Sequence, residues 1–97
     1  MIVNARETQE GLLVAVCDED VLGETFEDGE FSLTVTEEFY GGDPVDEHTV
    51  IERLTEATVA NIVGTRAVEL AIQEGFVDEA NVLDVGSTRH AQLLRMF

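Results

Sequence analysis

The sequence predicts a single small α+β domain, residues 1–97, with a mixed β-sheet. Short β-rich segments alternate with two longer segments that show helical periodicity. The first two β-rich segments flank a short polar loop, which is typical of an antiparallel hairpin. A hydrophobic content of 44% in 97 residues is enough for one folded core.

The N-terminal half is predicted to be mostly β-structure. Its elements are, in order, an N-terminal hairpin of strands 1–6 and 11–16, an acidic helical turn at 18–22 and a strand at 31–36. Gly23 ends the helical turn, and Asp28-Gly29 is a turn signal before the last strand. That strand alternates apolar and polar residues, as a half-buried strand does.

The C-terminal half is predicted to hold the two main helices. Its elements are a helix from Asp46 to about Ala57, a strand at 58–63, a helix at 65–74, a strand at 82–85 and a last strand from His90 to Met96. Asp46 suits the N-cap of the first helix, and Gly75 suits the end of the second. The segment 58–85 predicts a βαβ-like unit with two adjacent, parallel strands. In the alternative, 58–63 continues the first helix into an αα-hairpin.

The charge balance predicts a protein that is adapted to concentrated salt inside the cell. The chain has 21 acidic residues, 5 basic residues and a net charge of −16, and all the basic residues are arginine. On a sphere of about 15 Å radius, this charge repels itself by roughly 14 kcal/mol at 0.1 M salt and roughly 6 kcal/mol in molar salt. An acidic tail for a basic partner fits less well, because the acids spread from Glu7 to Asp84.

Composition and motifs favour a cytoplasmic, non-enzymatic protein. There is no apolar run long enough to span a membrane and no signal-peptide pattern. One cysteine and two histidines do not build a zinc site, and Asp18 to Gly29 fails as a calcium loop. No phosphate loop, dinucleotide fingerprint or hydrolase motif occurs. We therefore expect no catalytic residue, metal or cofactor, and neither a membrane nor DNA as partner.

Two segments are candidates for binding. At the start of the second helix, Gly64, Thr65 and Arg66 place backbone N–H groups and a guanidinium together, which predicts an anion seat. Alternatively, these residues only form the turn and the cap. The second candidate is the segment 85–97, which contains Arg89, His90 and Arg95 and no acid. It suits an RNA contact or an acidic protein surface, or it is an edge strand protected by charge.

Five short sequence motifs occur in the same order as in a known protein family. They are Cys17-Asp-Glu-Asp-Val-Leu-Gly23, Glu37-Glu-Phe-Tyr-Gly-Gly42, Ala60-Asn-Ile-Val-Gly64, Ala67-Val-Glu-Leu-Ala71 and His90-Ala-Gln92. Together they resemble the archaeal family called domain of unknown function 424. The resemblance implies an archaeal protein with an RNA-binding role linked to translation, and no established catalytic residue. The residues that match the family's motifs are Tyr40, Gly41, Gly42, Asn61, Gly64, His90 and Gln92.

The leading functional hypothesis is a module that binds RNA or a ribonucleoprotein. Tyr40 stacks on a base beside a flexible glycine loop, and arginines contact phosphates. We expect Arg66, Arg89 and His90 to converge at one end of the sheet. The full set of RNA or anion-binding candidates is Tyr40, Gly41, Gly42, Asn61, Gly64, Thr65, Arg66, Arg89, His90, Gln92 and Arg95. The alternatives are a protein-interaction module without nucleic acid and a phosphate-ligand hydrolase that uses the Gly64 helix start.

Overall fold

A computed structural model of the chain describes residues 1–95 and has seven strands and three α-helices in that range. In chain order they are β1 (Ile2–Thr8), β2 (Gly11–Cys17), β3 (Thr25–Asp28), β4 (Phe31–Thr34), α1 (Glu37–Tyr40), α2 (Glu47–Glu56), β5 (Val59–Val63), α3 (Thr65–Gln73), β6 (Leu83–Val85) and β7 (Thr88–Leu94). Short 3₁₀ turns lie at Glu19–Val21 and Glu79–Asn81. None of the helices in this range is long and apolar enough to cross a membrane.

The main sheet is mixed, as the sequence predicts. Its strand order is β1-β2-β5-β7-β6, and β3 and β4 form a separate two-stranded sheet. The β1–β2 hairpin is confirmed, with Ile2 opposite Cys17 and Thr8 opposite Gly11. The strands β2 and β5 are the adjacent parallel pair, and every other pairing in the sheet is antiparallel. The connection between β2 and β5 contains β3, β4, α1 and α2.

The C-terminal unit is βαβ-like, but the predicted adjacency of its two strands is wrong. The strand β7 lies between β5 and β6 and is antiparallel to both, so β5 and β6 run in the same direction without touching as neighbours. The physical reason is the tight turn at Gly86-Ser87, which folds β7 directly back on β6. The longer β7 then pairs with all five residues of β5.

The helix and strand assignments around this unit are confirmed. Asp46 caps α2 by accepting a 2.9 Å hydrogen bond from the backbone N–H of Thr49, and this bond lowers the pKa of the Asp46 carboxyl. Residues 59–63 form a strand, which excludes the αα-hairpin alternative. The strand β7 begins at Thr88, two residues before the predicted start. Its predicted end at Met96 lies outside the described residues.

The two faces of the main sheet are covered to different extents. One face packs against α2 and α3, and its core includes Val14, Val16, Leu54, Ile62 and Val68. On the other face, α1 and the β3–β4 hairpin cover only one half, where Ile2, Ala15, Cys17, Tyr40 and Val63 are buried together. None of the helices and strands formed by residues 1–95 covers the half of this face that lies beyond α1 and the hairpin.

Candidate functional site

The start of α3, where the sequence predicts an anion seat, is occupied by a carboxylate of the chain itself. Asp18 Oδ2 accepts a hydrogen bond of 3.0 Å from the backbone N–H of Arg66, and Oδ1 accepts one of 2.8 Å from that of Ala67. Asp18 is only 7% exposed. An internal carboxylate therefore occupies the position that the sequence predicts for an external anion.

Gly64 is needed at this point for backbone geometry. Its φ is +117°, and an added β-carbon would lie 2.5 Å from the Asp18 carboxylate. Thr65 is exposed on the first turn of α3, and Arg66 lines a cavity of about 290 Å³ with Asp18, Glu19 and other residues. The carboxylates that line this cavity are unfavourable neighbours for a phosphate group.

Tyr40, the predicted base-stacking residue, is part of the core. It is 5% exposed, and its ring meets that of Phe39 edge-on, with 4.9 Å between the ring centroids. Burial, together with the nearby Cys17 thiol, raises the pKa of Tyr40 to about 12. The ring of Tyr40 is therefore covered by the protein itself, where the sequence analysis expects an exposed ring for stacking.

Gly41 and Gly42 form a close backbone contact and not the flexible loop that the sequence suggests. The Gly41 carbonyl accepts a 2.7 Å hydrogen bond from Asn4 Nδ2. A β-carbon at Gly42 would lie 2.6 Å from the carbonyl oxygen of Val3. Both glycines therefore let the segment after α1 pack directly against β1.

The predicted phosphate-binding arginines at the C-terminus are engaged within the chain. Arg89 Nε lies 3.2 Å from Asp84 Oδ1, and Arg89 Nη2 lies 3.5 Å from Glu79 Oε1. The segments that carry Arg66 and Arg89 meet at one end of the sheet, because the backbone N–H of Gly64 donates to the carbonyl oxygen of Arg89 at 2.9 Å. The two guanidinium groups have different acidic neighbours, since Arg66 lines a cavity with Asp18 and Glu19.

Arg95 completes the C-terminus of α2. Its Nη1 donates to the carbonyl oxygens of Leu54, Thr55 and Ala57 at 2.8, 2.9 and 2.8 Å. The guanidinium also lies over the ring of Phe76, 5.9 Å from its centroid. These contacts provide a charged donor to carbonyl groups at the end of the helix, so Arg95 has a structural role.

The remaining predicted residues, Asn61, His90 and Gln92, lie on the same face of the sheet. Asn61 and Gln92 are on its uncovered half, whereas His90 is opposite the buried Val63, at the covered half. Asn61 on β5 is directly opposite Gln92 on β7, and Gln92 Nε2 donates a 2.9 Å hydrogen bond to Asn61 Oδ1. His90 is two residues along β7 on the same face, and its partial burial lowers its pKa. Its imidazole is therefore mainly neutral at pH 7.

An apolar row crosses the uncovered half of the sheet. Leu13 on β2 is opposite Val59 on β5, which is opposite Leu94 on β7. Leu94 is 67% exposed, and a shallow depression of about 250 Å³ is lined by Leu13, Val59 and their neighbours. We call this surface the open face and define it by Leu13, Val59, Asn61, Gln92 and Leu94.

The residues that define the open face are uncharged, although the molecule is acidic. Arg6 stands at the border of the open face, where its guanidinium donates to the carbonyl oxygen of Glu38 at 2.7 Å and lies over the ring of Phe39. Glu10 is an acidic residue at the rim of the depression.

Sequence reasoning misses Leu13, Val59 and Leu94 as surface residues. Leu13 belongs to the apolar run Leu12 to Val16, which reads as uniform core. The period-2 alternation of strands puts Leu13 and Val14 on opposite faces, but it does not show which face lacks a cover.

The fold defines a small α+β domain whose mixed five-stranded sheet has helices on one face and a half-open second face. The chain belongs to the family described as "Protein of unknown function (DUF424)", whose model matches residues 5–96, so the family resemblance is confirmed. The fold is similar to that of an uncharacterized conserved protein from Methanopyrus kandleri, known from a crystal structure. The two share 24% identity over 99% of this chain and 94% of the other, with a TM-score of 0.77. A search of curated proteins gives no match.

Proposed function

We propose that this chain is a non-enzymatic binding module of a high-salt archaeal cytoplasm, and that its partner is a protein that docks on the open face. One observation carries the proposal: the half-buried Leu13 and Val59 and the exposed Leu94 form an apolar row, while the whole chain has a net charge of −16. Apolar patches of this kind, depleted of charge and surrounded by polar residues, are typical of protein–protein contact surfaces.

RNA, the leading partner from the sequence, is the second candidate. The acid-free stretch after Asp84 favours it, because His90 and Gln92 from this stretch lie on the half-open sheet face. Three features favour a protein instead. Tyr40 is buried, the C-terminal arginines are held by groups of the chain itself, and no aromatic residue is among the five of the open face. RNA binding depends mainly on aromatic residues that stack on bases and basic residues that neutralise phosphates, and few such residues are accessible here.

The non-enzymatic part of the proposal rests on where the nucleophiles lie. Burial raises the pKa of the Cys17 thiol to about 11, and the nearby Asp18 carboxylate adds to the effect. A thiol in this environment is a poor nucleophile near neutral pH. Ser87 lies in the exposed turn between β6 and β7, and no base from residues 1–95 hydrogen-bonds to it.

The test is capture of the partner from native cells at high salt with three forms of the full chain. Leu94→Glu and Phe31→Glu both replace an exposed apolar residue by an acid, but Phe31 is on the β3–β4 hairpin, outside the open face. We expect wild type and Phe31→Glu to retain the same protein in fixed stoichiometry, with or without ribonuclease, and Leu94→Glu to lose it. Retention by Leu94→Glu, or retention that ribonuclease abolishes, would contradict the proposal.

A further inference from the structure

We infer that the element that docks on the open face is an amphipathic helix with a basic flank, and not a second copy of this chain. The inference rests on the proposed function and specifies the chemistry of the partner. It follows from the dimensions of the apolar row, from the amide pair beside it and from the charge around it.

The apolar row has the length of two helical turns. From Leu13 to Leu94 the row crosses two inter-strand spacings, which is about 10 Å. Apolar residues at positions i, i+3 or i+4, and i+7 of a helix span about the same length. Helices already cover the opposite face of this sheet, and a helix is the usual cover for an apolar sheet face.

The amide pair provides a polar edge next to this row. The hydrogen bond between Gln92 Nε2 and Asn61 Oδ1 leaves Gln92 Oε1 as an acceptor and Asn61 Nδ2 as a donor towards solvent. Both groups lie two residue pairs along the strands from the Val59–Leu94 pair, which makes them the next pair on the same face. When the apolar stripe of an amphipathic helix covers Val59 and its neighbours, a polar side chain at the edge of that stripe can hydrogen-bond to the Asn61–Gln92 pair.

Charge decides between the possible occupants. A second copy would bring another −16 against the first, and an RNA strand would add its own negative charge. A helix flanked by lysine and arginine instead meets the carboxylate of Glu10 at the rim and the negative field of the surrounding surface. The chemistry that fits is therefore apolar at the centre and basic at the margin.

The experiment uses two synthetic helices of about 18 residues with the same leucine stripe, one with lysine and one with glutamate on the polar face. Binding to the isotope-labelled full chain is followed by backbone amide shifts in about 0.5 M KCl, where exposed charges are largely screened beyond contact range. We expect the lysine helix to shift amides around Leu13, Val59 and Leu94, and the glutamate helix to bind about tenfold more weakly or less. Equal binding of both helices, or shifts elsewhere, would overturn the inference.

Leu94→Glu separates docking from simple attraction between opposite charges. Because the variant adds an acid, a purely electrostatic association with the lysine helix would strengthen. We expect its affinity to fall about tenfold instead, while Phe31→Glu, with the same charge change, leaves the shifts on the open face unchanged. An unchanged or increased affinity in Leu94→Glu would overturn the inference.

The other occupants are tested in the same solution. Sedimentation equilibrium of the wild type is expected to show a monomer, and a dimer that Leu94→Glu abolishes would assign the face to a second copy. A single-stranded oligouridine that shifts the amides of the open face would assign it to RNA, and either result would overturn the inference. The proposed function fails separately, when Leu94→Glu keeps its native partner. The proposed function is retained if Leu94→Glu loses the native partner but the lysine and glutamate helices bind the wild type equally well.

Discussion

A β-carbon on Gly64 would lie 2.5 Å from the carboxylate of Asp18. Because glycine leaves this space free, the carboxylate reaches the backbone N–H groups of Arg66 and Ala67 and caps α3 from the end of β2. The contact joins two elements that are far apart in the sequence. It fills the helix N-terminus that would otherwise attract an external anion.

Asp18→Asn is expected to destabilise the fold by about 1–3 kcal/mol, because it removes the charge from two hydrogen bonds at a helix N-terminus. The measurement is chemical denaturation at fixed high salt. Asp20→Asn is the matched control, since it makes the same charge change at an exposed neighbour. Equal stability of the two variants would remove the capping role from Asp18.

Gly64→Ala is expected to cost more than about 2 kcal/mol, because the new methyl group meets Asp18 in addition to the strain of a positive φ. Gly23→Ala separates the two effects. Gly23 also has a positive φ, of +86°, but an added β-carbon there has no atom within 4 Å. We expect a cost of about 1–2 kcal/mol for Gly23→Ala. If the two variants unfold at the same denaturant concentration, the close contact with Asp18 does not matter.

Arg95→Ala is expected to lower the free energy of unfolding by about 1–3 kcal/mol, because it leaves carbonyl groups at the C-terminus of α2 without their charged donor. Arg53→Ala is the comparison: its ion pair with Glu56, 3.0 Å apart, is exposed and contributes at most about 0.5 kcal/mol. Denaturation curves of both variants give the difference. Equal curves would show that Arg95 is a surface residue available to a ligand.

The local elements of the fold could be predicted because their signals are local. The cap at Asp46, the stop at Gly75 and the two-residue turn at Gly86 each fix a boundary within a few residues. The sequence carries no strand signal for β3, because Thr25–Asp28 contains a single apolar side chain, Phe26. It also carries no signal for the insertion of β7 between β5 and β6, since strand order depends on which faces pack and not on local propensity.

The candidate site could be predicted only in part, for the same reason. Asn61, His90 and Gln92 belong to the motifs shared with the family, and the fold brings them to one face of the sheet. Tyr40 belongs to the same motifs but is buried, because α1 docks its aromatic side against the sheet. The apolar row became visible only once the parallel register of β2 and β5 placed Leu13 beside Val59.

Stability is expected to fall in alkaline solution through two identifiable groups. Burial raises the pKa of Cys17 from 9.0 to about 11 and that of Tyr40 from 10.0 to about 12. Both groups are neutral when protonated, so the folded state holds its proton longer than the unfolded chain does. Their contribution is complete below pH 9 and is lost as the pH rises through about 11 and 12.

Few other side chains titrate in this pH range, because the chain has one cysteine, one tyrosine and no lysine. The unfolding midpoint is measured from pH 8 to 12 in wild type, Cys17→Ala and Tyr40→Phe. We expect the unfolding midpoint to fall less steeply with pH in each variant than in wild type. For Cys17→Ala the difference should appear at the lower end of the pH range, and for Tyr40→Phe at the upper end. Three parallel curves would contradict the assignment of the alkaline loss to these residues.

The fold is expected to depend on salt, because −16 is confined within a radius of gyration of 12.4 Å. Screening removes most of this repulsion once the Debye length falls to about 3 Å. Thermal unfolding should shift clearly upward between 0.1 M and 2 M KCl. A midpoint that stays constant over this range would refute the adaptation to high salt.

A charge-reduced variant shows whether repulsion is the cause, since KCl also strengthens apolar burial to some extent. Glu24, Glu27 and Glu30 are exposed on the β3–β4 hairpin, so glutamine at all three positions removes three charges while it leaves the core intact. This variant should melt above the wild type at 0.1 M KCl, and the two midpoints should converge at 2 M, where the removed charges are screened in both. A gap that persists at 2 M would mean that the substitutions act through local contacts. Coincident midpoints at 0.1 M would mean that repulsion among the surface carboxylates does not limit the stability of this domain.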